Sequence, residues 1–294
     1  ISVRIAGPAI ATVYRCGSRA RRHATISSYN TRMPWVYLDN NATTQPADEV
    51  AAAMDEVNRT LWANPSSVHR FGQMVRQRVE LARASVANLL HTRDRNIIFT
   101  SGGTESNNLA LRGLLGDPNA THRVLITTKI EHSAVRSPAD TLADLGVALH
   151  HLPVDRAGRV NVQGLTEALN EFAVEGAHVL VSVQWANNET GVVQPLDELL
   201  AVVRDHRQRE PGARILFHTD ATQAVGKTVV DVTQTSVDLL TCASHKFHGP
   251  KGAGVLYVKQ GVKVVPQSLG GPQERDRRGG TENTPGIVGT GVAA

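Results

Sequence analysis

The protein has 294 residues, of which 41% are hydrophobic, 20% charged and 4% aromatic, and its formal net charge is +4. This apolar fraction excludes an intrinsically disordered chain and is sufficient for a large buried core. No apolar run approaches the roughly 20 residues that a membrane-spanning helix requires, so we expect no membrane partner.

The positive charge is concentrated at the N-terminus. Residues 1–32 contain six arginines and no acidic residue, whereas the rest of the chain carries 25 basic and 27 acidic side chains, a formal charge of −2. The basic character therefore does not predict a nucleic-acid partner. An Arg- and Ser-rich, acid-free segment is typical of an organellar transit peptide. Because the chain opens on Ile1 and Met33 precedes an apolar segment, residues 1–32 are alternatively sequence upstream of the natural start, the interpretation we favour.

Helical and extended patterns alternate along the rest of the chain. Residues 46–90 have the apolar spacing of helices. Seven strands are predicted, at 96–100, 124–128, 148–153, 179–183, 215–219, 239–243 and 254–258. Helices are predicted from 105 onward and at 133–145, 166–172 and 196–207. This alternation predicts an α/β fold in which helices cover both faces of a mostly parallel sheet, with ligands beyond the carboxyl ends of the strands.

Four of these strands end in residues that can carry chemistry. The first ends in Ser101-Gly-Gly-Thr104 (the glycine turn), where backbone N–H groups can bind an anion or simply begin a helix. The fifth strand is followed by Asp220, which is either a functional acid or a cap of the next helix. The sixth is followed by Lys246, whose pKa falls if it is buried but which is otherwise a surface lysine. The second precedes His132, which is alternatively a helix cap.

Together the four features predict a pyridoxal phosphate site. A lysine forms the Schiff base with this cofactor, and an acid keeps its ring nitrogen protonated. An imidazole can stack on the ring, and the glycine turn can bind the phosphate.

A second segment of the chain resembles a phosphate-binding motif. Residues 221–228 fit a relaxed Walker A pattern but lack its first glycine. The segment also continues into β-branched residues instead of a helix, so it does not predict ATP or GTP binding.

Several longer stretches resemble the cysteine desulfurases, a group of the class V aminotransferases with pyridoxal phosphate fold type I. The matching stretches are 37–44, 64–67 with His69, 101–108, 131–132, 187–191, 220–227, 245–252 and 270–283. The resemblance implies an aspartate-aminotransferase-like large domain. It also implies removal of sulfur from L-cysteine, giving L-alanine and an enzyme persulfide for iron–sulfur cluster or thio-cofactor assembly. Selenocysteine lyase is an alternative, and a non-catalytic cofactor-binding or scaffold subunit is another if the chain truly ends at residue 294.

The resemblance also implies residue roles. Lys246 would bond the cofactor and move protons, and His132 would stack on the ring and act as acid or base. Asp220 would pair with the ring nitrogen, and Gln223 would donate a hydrogen bond to the ring oxygen. The other implied cofactor contacts are Gly103, Thr104, Asn188, Ser244, His245 and Thr281. Thr281 would reach the partner subunit of a homodimer, and no metal is implied.

The chain departs from the family pattern at two points. Ala243 stands where the family usually has serine, so one phosphate donor is missing. The resemblance implies that the family's sulfur-accepting cysteine, on a mobile loop further along the chain, and a later substrate-binding arginine lie beyond Ala294. Cys242 is not expected to replace the missing cysteine, since a strand position predicts a buried, inert thiol.

These observations predict three segments and a cellular setting. Residues 1–32 are a leader or non-native upstream sequence, 33–48 begin a small domain, and 49–294 form a cofactor-binding large domain that lacks its C-terminal complement. With two cysteines, Cys16 and Cys242, we expect a reducing compartment, the cytoplasm or an organellar matrix if 1–32 is a transit peptide. The expected partners are L-cysteine, a second subunit and a sulfur-acceptor or iron–sulfur scaffold protein.

Overall fold

The computed structural model describes residues 36–116 and 120–294. The chain divides into two units, Ile1–Leu38 and Asp39–Ala294, and the second contains every element described below. The predicted leader, residues 1–32, lies outside the described residues. Among the helices of the described ranges, none combines the length and apolarity needed to cross a membrane.

The order of helices and strands follows the predicted alternation. The helices are α1 (Asp48–Thr60), α2 (Arg70–Leu89), α3 (Gly103–Leu115), α4 (Ser133–Asp144), α5 (Val162–Phe172), α6 (Leu196–Arg209), α7 (Val232–Thr235) and α8 (Thr284–Ala293). The strands are β1 (Ile97–Thr100), β2 (Arg123–Thr127), β3 (Ala148–His151), β4 (His178–Ser182), β5 (Arg214–Asp220), β6 (Leu239–Ala243) and β7 (Gly254–Val258). Each predicted strand is present, with ends within two residues of the prediction. Helix α5 begins earlier than predicted because the Asn161 side chain accepts the Gly164 N–H and caps it.

The strands form one seven-stranded sheet in the order β1-β7-β6-β5-β4-β2-β3. Only β7 runs antiparallel to its neighbours, so the mostly parallel sheet is confirmed. Strands β1, β6 and β7 are buried along their whole length, which explains their continuous apolar runs. Because the other six strands point the same way, their carboxyl ends meet at one edge.

Helices cover both faces of the sheet. Alternate residues of a strand enter different cores: Ile97 and Phe99 pack in one, and Ile98 in the other. The first core includes residues of α2, α5 and α6, and the second includes residues of α3 and α4. This arrangement buries the strands on both sides and confirms the predicted α/β layering.

The segment with the Walker-like pattern does not form a phosphate-binding loop. No helix follows Lys227 directly, since the next one, α7, begins at Val232. Gly226 has φ +77°, and a β-carbon there would lie 2.5 Å from Cβ of Phe247. The glycine is therefore required for close packing against the residue after Lys246, which explains the motif without a nucleotide.

A buried histidine connects three neighbouring strands. In β5, His218 Nδ1 lies 2.9 Å from Ser182 Oγ of β4, and its Nε2 lies 3.1 Å from Thr241 Oγ1 of β6. Burial lowers the pKa of His218 to about 4, and the negative charge of Asp220 offsets only part of this shift. The folded protein therefore holds this imidazole neutral.

We expect acidification to destabilise the fold through His218. Between pH 6.5 and 4 the unfolded chain binds a proton at this side chain that the folded chain does not, so stability falls as the pH falls. The loss from this group should reach roughly 2 kcal/mol at pH 5. Urea unfolding at pH 7 and pH 5 measures it: His218→Gln should lose less stability than the wild type. The exposed His91→Asn control should behave like the wild type, and equal acid sensitivity of His218→Gln would contradict the prediction.

Candidate active site

A cavity of about 500 Å³ lies at the carboxyl ends of the parallel strands. Its walls come from the ends of β5 and β6, the start of α3, the loops after β2 and β4, and the segment Asp39–Ala42. Eight of the ten predicted site residues line it: Gly103, Thr104, His132, Asn188, Asp220, Gln223, His245 and Lys246. Parallel strands thus bring together residues that are up to 143 positions apart in the sequence.

The other two predicted residues lie outside this cavity. The Ser244 hydroxyl is buried and lies 2.6 Å from Thr290 Oγ1 of α8. It is therefore engaged elsewhere and does not replace the donor that Ala243 lacks. Thr281 is exposed and lines a separate cavity of about 180 Å³ with residues of the 278–283 loop. Its contact with a partner subunit stays a prediction.

Asp220 is a buried carboxylate held by neutral donors. Only 8% of its surface is exposed. Its Oδ1 accepts the Thr222 N–H at 3.0 Å, and its Oδ2 accepts a hydrogen bond from Asn107 Nδ2 at 2.7 Å. It forms no salt bridge with any residue that the structure describes. Since a buried charge needs a partner, this carboxylate is suited to a ligand that brings a positive charge into the cavity.

Lys246 lies in the same cavity with its amine held by the N-terminal segment. Its Nζ donates to the backbone oxygens of Asn41 and, at 2.9 Å, of Ala42. Burial lowers the pKa of Lys246, and the charges of Asp220 and Asp39 partly oppose this shift. A lowered pKa increases the fraction of neutral amine, the form that attacks a carbonyl carbon.

The glycine turn forms an open anion-binding surface. Helix α3 begins at Gly103, so its first N–H groups have no partner within the helix. A β-carbon on Gly103 would lie 3.3 Å from Thr222 Oγ1 and 3.5 Å from Cβ of Ala243, so glycine keeps this surface open. Nearby, His245 Nδ1 lies 3.1 Å from Thr43 Oγ1. Burial and the charge of Lys246 lower the pKa of His245, so a neutral imidazole borders the cavity.

His132 caps a helix and also lines the cavity, so its helix-capping role is confirmed and its catalytic role stays a prediction. Its Nδ1 accepts the Ala134 N–H at 3.1 Å and caps α4. A nitrogen that accepts carries no proton, so the neutral ring has its proton on Nε2. The ring also lines the cavity, where Nε2 remains available for proton exchange.

Gln223 is oriented by two contacts on opposite sides of its amide. Its Nε2 donates to the Asn41 backbone oxygen at 2.9 Å, and its Oε1 accepts a hydrogen bond from Lys227 Nζ. The amide nitrogen therefore lies on the side of Asn41 and Lys246. The second N–H of the amide could donate to an oxygen of a ligand, and that contact stays a prediction.

Three contributors to the site were missed by the sequence analysis. Asn41 and Ala42 act through backbone carbonyl groups, and Asn107 acts through Asp220. All three lie within stretches that carried the family resemblance, which was the only available signal. By contrast, Cys242 is buried as predicted, and burial raises the pKa of its thiol to about 12. Such a thiol is inert.

A lysine and an acid lie together at the carboxyl edge of a mostly parallel sheet, beside an open glycine turn, an arrangement typical of α/β enzymes that hold a cofactor through a lysine. Residues 36–294 match the family model described as "Aminotransferase class-V". The chain belongs to the class-V aminotransferase family.

Several curated relatives are named cysteine desulfurase. The chain is 45% identical over 261 residues to "Cysteine desulfurase NifS" of Azotobacter vinelandii, covering 88% of this chain and 61% of that protein. A solved structure titled "NIFS-LIKE PROTEIN" is 38% identical with a TM-score of 0.82, covering 88% of this chain and 68% of that one. Another, "SspA in complex with cysteine", is 35% identical with a TM-score of 0.80, covering 87% and 71%. The chain spans about three-fifths of the length of the curated relatives it matches.

Proposed function

We propose that the protein is a pyridoxal phosphate-dependent cysteine desulfurase that converts L-cysteine to L-alanine and passes the sulfur to a thiol. The observation that carries the proposal is the convergence of Lys246, Asp220 and the glycine turn on one cavity. The similarity to relatives named cysteine desulfurase selects this activity among those of the family.

The cavity fits pyridoxal phosphate at both ends of the molecule. The uncovered N–H groups of the glycine turn and the neutral His245 match the phosphate. Asp220, buried without a cation partner in the described ranges, matches a protonated ring nitrogen. Bound pyridoxal phosphate supplies an electron sink for the bonds at the α-carbon of an amino acid substrate.

Side chains of the cavity would supply the proton transfers and the contacts that hold the cofactor. Asp220 would hold the proton on the ring nitrogen, and Gln223 would donate to the ring oxygen. Lys246 Nζ would take the proton from the substrate α-carbon, since a lowered pKa increases the fraction of neutral amine that can act as a base. His132 Nε2 would hold a proton for the reacting sulfur, and Asn188, which lines the cavity, would contact the cofactor and the substrate.

The thiol that takes the sulfur must come from outside the described residues. Cys242 is buried in β6 with a raised pKa, so it cannot attack a substrate in the cavity. We further propose that the enzyme works as a homodimer and delivers sulfur to a separate acceptor, such as a scaffold for iron–sulfur clusters.

A product assay tests the proposed activity. The purified protein is loaded with pyridoxal phosphate and incubated with L-cysteine and dithiothreitol, and alanine and sulfide are measured. We expect equal amounts of both products, and strongly reduced amounts from Asp220→Ala. A parallel assay with L-selenocysteine distinguishes the selenocysteine lyase alternative. Cofactor binding without alanine formation from either substrate would refute the proposed chemistry.

A further inference from the structure

We infer that Asn107 is a positioning residue that holds the Asp220 carboxylate toward the ring nitrogen of the cofactor. The inference rests on the proposed function, because it assumes pyridoxal phosphate in the cavity. Asn107 belongs to α3 and lies 113 positions before Asp220 in the sequence. The fold brings the two side chains together.

The contact between Asn107 and Asp220 is a short, buried hydrogen bond. Asn107 is 1% exposed, and its Nδ2 lies 2.7 Å from Asp220 Oδ2. The other carboxylate oxygen accepts the Thr222 N–H at 3.0 Å. Each oxygen of Asp220 thus accepts one donor on a rigid frame, a helix on one side and the backbone after β5 on the other. Two such contacts fix the plane of the carboxylate.

The neutral side chain of Asn107 leaves the negative charge of Asp220 available to a ligand. A neutral amide stabilises the carboxylate without cancelling its charge, whereas a lysine or arginine there would form a salt bridge with it. The negative charge of Asp220 also acts on neighbouring groups, since it contributes to the raised pKa of Glu131 and of Cys242. A ring nitrogen entering the cavity would therefore meet an oriented anion.

Asn107 also leaves a polar atom unpaired. Its Oδ1 is buried and has no hydrogen-bond partner among residues 36–116 and 120–294. A buried acceptor without a partner is destabilising, so a residue needed only for packing would be better apolar. This loss of stability is explained if the polar side chain is required for its hydrogen bond to Asp220.

The position of Asn107 on α3 couples the two ends of the cofactor site. Gly103 and Thr104 form the phosphate end of this helix, and Asn107 follows one turn later. One helical turn spans about 5.4 Å, so the same rigid element locates the anion-binding surface and the carboxylate. A displacement of α3 would move both together.

The affinities for two ligands distinguish a positioning role of Asn107 from a structural one. The first is pyridoxal phosphate, and the second is its 1-deaza analogue, in which carbon replaces the ring nitrogen. We expect Asn107→Leu to raise the Kd for pyridoxal phosphate roughly 10-fold, as expected for the loss of a hydrogen bond to a charged group. The Kd for the analogue, which cannot use Asp220, should stay at the wild-type value. Equilibrium dialysis measures both without requiring turnover.

Matched variants complete the experiment. Asn108→Leu makes the same change at the next residue, whose amide donates to the Thr104 backbone oxygen, and should bind both ligands like the wild type. Adding Asn107→Leu to Asp220→Ala should have no further effect on the Kd for pyridoxal phosphate. Asn107→Ala replaces the leucine variant if that protein does not fold.

Two results would overturn the inference while leaving the proposed function intact. One is an unchanged Kd for pyridoxal phosphate in Asn107→Leu and Asn107→Ala. The other is equal weakening of both ligands, which would show a structural role. If the wild-type protein binds pyridoxal phosphate no better than the Lys246→Ala, Asp220→Ala double variant does, the proposed function fails, and the role of Asn107 fails with it.

Discussion

The Lys246→Ala protein should bind pyridoxal phosphate only reversibly and should lose catalysis. Lys246 is the cavity-lining lysine of the described residues, and its amine has a lowered pKa. Removing it eliminates both the nucleophile for the cofactor's aldehyde and the base for the α-proton. Loss of general base catalysis alone typically costs about 10²–10⁴-fold in rate. The Asp220 and glycine-turn contacts remain, so reversible binding should persist.

Borohydride trapping followed by peptide mass spectrometry measures the first effect. Borohydride makes the bond between a lysine and the cofactor permanent, so the wild-type protein should carry the added mass on the peptide that contains Lys246. Lys227→Ala is the matched control, since Lys227 contacts Gln223 but does not line the cavity. It should label like the wild type. Labelling of the Lys246→Ala protein at another lysine would show that the assignment is wrong.

Glu274→Gln should produce a large loss of stability. The Glu274 side chain is 1% exposed, and its oxygens accept from Arg83 Nη1 and Nη2 at 2.7 and 2.8 Å. One oxygen also accepts the Phe99 N–H of β1 at 2.9 Å. Removing one member of a buried ion pair leaves the other charge without compensation, which costs roughly 3–5 kcal/mol. Glu80, a second partner of Arg83, is partly exposed and should offset only a fraction of this cost.

The same pair stabilises an unfavourable turn. Glu274, Arg275 and Asp276 have φ values of +50°, +60° and +63°, in the left-handed region that disfavours residues with a β-carbon. Three such residues in succession require support from tertiary contacts. The loss of the Arg83 contact should therefore also loosen the loop that leads to Thr281.

Urea unfolding measures the effect of Glu274→Gln. Asp55→Asn is the control, because it removes the carboxylate of an exposed pair with Arg59 and should change stability by less than about 1 kcal/mol. The double variant Arg83→Met/Glu274→Met should recover much of the loss, since apolar residues can replace a whole buried pair. A loss below about 1 kcal/mol in Glu274→Gln would contradict the prediction.

Local patterns were sufficient to predict the strands and four features of the cavity, the glycine turn, Asp220, Lys246 and His132. Strands buried on both faces read as short apolar runs, and residues directly after them must meet at the carboxyl edge of a parallel sheet. This reasoning placed Lys246, Asp220 and His132 in one site before any contact was known. It could not assign the Ser244 hydroxyl, because the direction of a side chain at a strand end depends on the helix packed against it. Helix α8, through Thr290, draws that hydroxyl away from the cavity.

The sequence by itself determined the α/β class, the family and the residue types that a pyridoxal phosphate site requires, since these depend on periodicity and on motifs that are local in the chain. Only the tertiary structure revealed the groups that hold those residues in place, the Asn41 and Ala42 carbonyls at Lys246 and Asn107 at Asp220, and the buried pair of Arg83 and Glu274 that stabilises a turn. Each of these contacts joins residues more than 100 positions apart. Backbone carbonyls and single amides carry no pattern of their own, so their roles depend on which distant residue the fold places beside them.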